Sequence, residues 1–233
     1  MSEQPLAHDH GSVEVDSPIK PRLRGRFHQA AFFIAVPAGI VLVALARGTT
    51  ARTSAAIYAL SLGGLFGVSG AYHQLPFSAA SRRWMKRLDH SMIFVLIAGT
   101  TTPLCLLVLR KPWSMILLLV VWGGAAAGIA LKILHVEGFR GLTGTLYITL
   151  GWAVVLVSPQ LVRALSPATL SLIVAGGVLY TLGAIVLVRN RPNPAPATFG
   201  YHEIWHSMVV VASACHYVAV LLIVHPARPP MIG

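Results

Sequence analysis

Residues 112–131 read PWSMILLLVVWGGAAAGIAL, twenty positions without an ionisable side chain. A helix of that length is about 30 Å long, the thickness of the hydrocarbon core of a bilayer. Six further apolar stretches accompany it, at about 27–46, 53–72, 89–109, 142–161, 169–188 and 204–224. The stretch at 142–161 is interrupted near its end by Pro159. Only 11% of the chain is charged and 55% is hydrophobic, whereas a soluble domain carries roughly 25% charged residues. The sequence therefore predicts an all-α polytopic membrane protein with seven transmembrane helices over residues 27–224. A polar, disordered tail is expected at 1–26 and a short C-terminal tail at 225–233. The apolar part of the first stretch exceeds the ~7–15 residues of a signal peptide, so it is read as an uncleaved span.

Loop charge sets the expected orientation. The N-terminal tail and the loops after spans two, four and six hold Lys20, Arg22, Arg24, Arg26, Arg82, Arg83, Lys86, Arg87, Lys132, Arg140, Arg189 and Arg191, a total of 12. The opposite side holds Arg47, Arg52, Arg110, Lys111, Arg163 and Arg228, a total of 6. The positive-inside rule then places the N-terminus in the cytoplasm and the protein in the cell membrane. The net charge of +11 belongs to these flanking loops. No aromatic residues interleave with them as a nucleic-acid surface requires, so membrane lipid is the expected partner and nucleic acid is not. Cys105 and Cys215 sit in apolar runs and read as packing residues. Gly63-x-x-x-Gly67 and Gly124-x-x-x-Gly128 have the spacing at which membrane helices approach closely.

Three of the ten histidines carry chemistry. His73 closes span two, and His202 and His206 open span seven. In an alternating topology these ends, together with Asp89 at the start of span three, share the N-terminal side. Four residues apart on a helix, His202 and His206 present both rings on one face. With His73 as third ligand the set matches catalytic zinc, which has three protein ligands and an open fourth position. Zinc lowers the pKa of a bound water to roughly 7. Asp89 is placed to accept its proton or to orient a ligand histidine. Ser69, one helical turn before His73, either bonds a substrate carbonyl or that water, or packs and bonds its own backbone.

The remaining histidines are read more plainly. His8, His10 and His28 are given no role, and His225 is read as interfacial. His90 points about 100° away from Asp89 around the helix and reads as a packing or loop residue. His216 lies about 15 Å along the helix from His206, too far to share its metal, and reads as lining a cavity or packing between helices. His202-Glu203-Ile204-Trp205-His206 also matches the zinc-protease pattern H-E-x-x-H, in which the Glu is general base. No acidic residue follows it to complete a protease site, so Glu203 is read as an accidental match or an interfacial residue.

Taken together, Ser69-Gly70-Ala71-Tyr72-His73, Leu88-Asp89-His90-Ser91-Met92-Ile93, Ala98-Gly99-Thr100-Thr101-Thr102-Pro103 and His202-x-x-x-His206 resemble the motifs of the hemolysin III and progestin/adipoQ-receptor family. The resemblance runs from about residue 27 to 224. It implies a seven-helix bundle with zinc near the cytoplasmic face, held by His73, His202 and His206, with a water, Ser69 and Asp89 close by. It also implies either hydrolysis of lipid amides such as ceramide or a receptor role, and prokaryotic-looking members carry a hemolysin label. Glu203 is not a usual feature of the motif. The expected function is zinc-dependent hydrolysis of a lipid amide or ester. The alternatives are a non-catalytic receptor or sensor of lipid state with structural zinc, a cytolysin, and an intramembrane metalloprotease.

Overall fold

In hydrocarbon no water pairs with backbone N–H and C=O groups, so a chain crosses either as helices or as a closed barrel. A computed structural model describes residues 21–134 and 140–225, and it takes the helical route, with no strand among the described residues. The elements in order are α1 (Arg26–Leu45), α2 (Thr49–Gln74), α3 (Ala79–Leu107), α4 (Trp113–Leu134), α5 (Arg140–Trp152), a 3-10 turn (Ala153–Val157), α6 (Ser158–Ala164), α7 (Pro167–Arg189) and α8 (Tyr201–Val224). Seven helical segments are long and apolar enough to cross a membrane, the fifth being Leu142–Ala164. Large apolar side chains face outward along them, among them Ile34, Leu60, Leu119, Leu156 and Val188. In water such a surface would aggregate, and in lipid it is solvated.

Two boundaries differ from the hydropathy reading. The third helix begins at Ala79, capped by the Ser78 hydroxyl accepting from the Ser81 N–H, not near residue 89. The basic run Arg82–Arg87 is thus helical. Hydropathy sees the apolar part of a helix and misses a charged extension built from good helix formers. The fifth span is not one helix. It passes through the 3-10 turn and restarts as α6, with Pro159 in the first turn of the new helix, where its missing N–H does no harm. The expected tail also shortens. Residues 1–20 lie outside the described part, but Pro21–Gly25 forms a hydrogen-bonded turn that leads into α1.

Neighbours in sequence pack as neighbours in space, and α8 closes the ring by packing on α7 and α1 while also touching α2 and α3. One core joins α1, α2, α3 and α8 around Tyr58, Leu62 and Phe66, and a second joins α3 to α4, α5 and α6 around Phe94, Val121 and Leu150. Polar side chains within the bundle are paired across helices. Trp122 Nε1 donates to Thr102 Oγ1 at 3.1 Å, Trp152 Nε1 to Thr181 Oγ1 at 3.0 Å, and Tyr217 to the Ala38 carbonyl at 2.8 Å. Each such bond contributes about 0.6 kcal/mol on average in a membrane.

The glycine spacings are used unevenly. A Cβ on Gly128 would come within 2.2 Å of the buried Phe94 ring, while one on Gly123 would meet nothing within 4 Å. Gly128→Ala is therefore expected to destabilise the bundle by about 1–3 kcal/mol through overpacking. Gly123→Ala should be neutral or slightly stabilising, by up to about 1 kcal/mol from backbone entropy. Thermal unfolding of both variants in one detergent checks the contrast.

Candidate metal centre

His73 stands one residue before the end of α2, and His202 and His206 lie in the first two turns of α8. Packing of α8 against α2 brings the three imidazoles together. The ligand atoms of His73, His202 and His206 all lie within 4.8 Å of one another. Ring centroids are 5.0 Å apart for His73 and His202, 5.1 Å for His73 and His206, and 4.6 Å for His202 and His206. His73 and His206 are buried and His202 is half-buried. His202 Nε2 and His206 Nδ1 are buried without a hydrogen-bond partner. Buried acceptors without partners are unstable, and a divalent cation is one partner that neutral imidazoles take. Nitrogens bound to one tetrahedral zinc at about 2.0–2.1 Å lie about 3.3–3.4 Å from each other, so side-chain adjustments of about an ångström would bring the three donors onto one ion. Softness and number of donors fit zinc, although imidazole also suits copper, iron and nickel.

Asp89 sits in the third turn of α3 and accepts a hydrogen bond from the Ser69 hydroxyl. Ser69 is buried one turn deeper than His73 on α2. Its hydroxyl is thus engaged with the neighbouring carboxylate, whereas Ser54 and Ser61 of the same helix bond their own backbone. Asp89 is not in the group of mutually close donors and so lies outside the ligand set; its link to the ligand-bearing end of α2 is through Ser69, four residues before His73. His90 is helical, and its carbonyl accepts from the Tyr147 hydroxyl at 2.8 Å. His216 both packs and lines a cavity. Its Nε2 bonds the Ile173 carbonyl at 3.1 Å, and the ring fills the space a Cβ on Gly176 would need.

Glu203 has a structural role, which leaves its match to the protease pattern accidental. It is fully buried, with one carboxylate oxygen 2.7 Å from Arg24 Nε and the other accepting from the Gly200 N–H at 2.9 Å. It caps α8 and anchors the segment 21–25 across the end of the bundle. That segment is also held by the Arg22 N–H to the Ala197 carbonyl at 3.1 Å, by the Leu23 N–H to Thr198 at 3.3 Å, and by the Gln74 side-chain amide to the Arg24 carbonyl. Gly25 has φ +77°, and a Cβ there would lie 2.3 Å from His73 Cβ. Only glycine satisfies both the left-handed backbone and the close approach to the ligand helix. The H-E-x-x-H match therefore differs from a protease in its chemistry. Here each oxygen of Glu203 has a structural partner, the Arg24 guanidinium or the Gly200 N–H, so the carboxylate serves as ion-pair partner and helix cap even though each oxygen keeps a further acceptor site.

Two residues at the centre were not legible as such in the sequence. Arg24 reads as tail charge, and nothing in its neighbourhood points to Glu203. His28, buried at 3% exposure, stacks on His206 with ring centroids 3.8 Å apart. The parity of the spans that singles out His73 also places the start of span one on this face, so that signal was available.

A cavity of about 320 Å³ opens between α3, α5, α7 and α8. It is lined mainly by apolar side chains, with Ile93, Tyr147, Trp205 and His216 among them. None of the three clustered histidines lines it. Ile93 lies one turn after Asp89, and Trp205 directly precedes His206, so the cavity wall uses the same two helices that carry Asp89 and His206.

Known proteins are similar to this chain in sequence. The family model described as "Haemolysin-III related" matches residues 17–217. The chain is 34% identical over 202 residues to Hemolysin-3 of Bacillus cereus, an alignment covering 85% of this chain and 89% of that one. It is 32% identical over 197 residues to the Hemolysin-3 homolog of Bacillus subtilis, covering 83% and 89%. It is 27% identical over 197 residues to the Monocyte to macrophage differentiation factor of Homo sapiens, covering 81% and 79%. With a seven-span helical bundle and a family match over most of its length, the chain belongs to the haemolysin-III family of integral membrane proteins.

Proposed function

We propose that this protein is a zinc-dependent hydrolase of a lipid amide or ester, with the histidine face turned to the cytoplasm. The observation that carries the reading is the set of three imidazole donors within 4.8 Å of one another; the Asp89 carboxylate is joined to the same helix end through Ser69. Zinc held by His73, His202 and His206 would supply Lewis acidity and a water acidic enough to react near neutral pH. Asp89 takes the proton as the water oxygen adds to the acyl carbon, and returns it to the departing nitrogen or oxygen as the acyl bond breaks. Ser69 keeps the carboxylate turned toward the centre. The apolar cavity ending at Trp205 and Ile93 gives a lipid chain room to lie between helices and enter from the bilayer. The orientation rests on the basic loops that flank this face.

One observation favours a second reading, a receptor or sensor of lipid state in which zinc is structural. The segment 21–25 lies over His73, and the cavity does not reach the histidines. A structural site is closed in this manner, whereas a catalytic one keeps a position open.

Purified protein separates these readings. Hydrolysis predicts that His73→Ala, His206→Ala and Asp89→Asn each lower turnover of a ceramide-like lipid amide by about 100-fold or more, with metal retained in Asp89→Asn. Zinc content near one per chain without turnover on any lipid amide or ester supports the sensor. Glu203→Gln should leave metal content and turnover nearly unchanged. It should instead lower stability by about 1–3 kcal/mol, because it disturbs a buried hydrogen-bonded pair. Loss of activity in Glu203→Gln with activity kept in Asp89→Asn would revive the protease.

A further inference from the structure

His28 enters the bundle in the first turn of α1 and is almost fully buried. Its ring lies parallel to that of His206, with centroids 3.8 Å apart and 6° between planes, and edge-on to Phe66 at 5.2 Å. A close face-to-face stack is the arrangement that two electron-rich rings avoid, since their negative faces oppose. It becomes favourable when one ring is drained of electron density by a bound cation, much as a cation attracts the face of an aromatic ring. Neither His28 nitrogen has a well-formed hydrogen bond, only a loose approach to the His206 backbone. A neutral imidazole carries one donor and one acceptor, and buried polar atoms of this kind find partners in protein, water or ligand. His28 is also not one of the three mutually close donors, which separates it from the ligands themselves.

We propose that His28 is a positioning residue of the metal centre. Stacked on His206 it fixes the plane of that ligand, and its ring N–H donates to the water or carbonyl oxygen that occupies the remaining position. The proposal rests on the reading that the triad binds a metal. It requires no turnover, so it holds equally for a catalytic and a structural zinc.

The test uses the full-length protein in detergent. Zinc affinity is measured by competition with a chromophoric chelator. Binding of acetohydroxamate, a carbonyl-oxygen donor, is followed through the visible spectrum of the cobalt-substituted protein. His28→Ala should weaken zinc binding about 10–100-fold, the effect of removing an outer-shell partner. His28→Phe keeps a ring to stack on His206 and should recover most of that affinity, yet bind acetohydroxamate about 10-fold more weakly than wild type. Should His28→Ala not purify as a folded species, His28→Phe carries the measurement, being apolar and similar in shape. Zinc affinity in His28→Ala within about twofold of wild type overturns the stacking role. Unchanged acetohydroxamate binding in His28→Phe overturns the hydrogen-bonding role. Wild-type protein that binds neither zinc nor cobalt sinks the centre and this proposal together, whereas wild-type binding with unaffected variants sinks the proposal alone.

Discussion

Lipid offers a backbone no partner, and from that constraint the rest follows. Each crossing must be a helix, and each helix reverses the direction of the last. In a chain of seven crossings the starts of spans one, three and seven and the end of span two come to the same side. His28, Asp89, His202 with His206, and His73 occupy those four ends. Helices joined by short connections then need only pack in order for groups far apart in sequence to become neighbours. The packing of α8 against α1, α2 and α3 completes this. The centre is thus a consequence of parity and of one helix that returns to the middle of the bundle.

The same end of the molecule has to close over buried polar groups. Imidazoles, a carboxylate and a guanidinium gathered at the rim of an apolar medium are costly unless each is paired. The structure pairs the guanidinium and the carboxylate locally, while buried imidazole nitrogens of His28, His202 and His206 are left without a hydrogen-bond partner. Arg24 meets Glu203, Glu203 caps α8 through Gly200, and the Gln74 side chain ties the Arg24 carbonyl to the end of α2. The segment 21–25 is therefore an ordered cover whose anchor lies between the two ligand histidines of α8. A stretch that reads as a basic, membrane-flanking tail is in fact fastened to α8 by the residue that makes the motif look like a protease.

Much of this was legible in the sequence, for identifiable reasons. Span number and the ends bearing His73, His202 and His206 follow from hydropathy, because burial in lipid depends on composition alone. Helix boundaries beyond the lipid do not. Asp89 stands ten residues inside α3, since Ala79–Leu88 continues the helix in a polar medium that hydropathy does not register. Pro159 signalled a break but not its form, because a 3-10 turn and a restarted helix depend on packing against α4 and α7. Glu203 and His28 were misjudged because their partners are remote in sequence. Arg24 is 179 residues from Glu203, and His28 is nearly as far from His206. Pairwise contacts over such distances leave no periodicity to read.

The arrangement also narrows where any reaction can be controlled. The clustered histidines do not line the cavity, whose wall includes Trp205 on α8 and Ile93 on α3. Trp205 lies against Gly183 of α7, where a Cβ would come within 2.8 Å of its ring. The indole is therefore held by a helix that supplies none of the clustered histidines. α7 contributes to the cavity wall, whereas His73, His202 and His206 lie on α2 and α8. The cavity and the histidine cluster are thus built from partly different helices, so a change in the α7 wall of the cavity need not touch the three imidazoles.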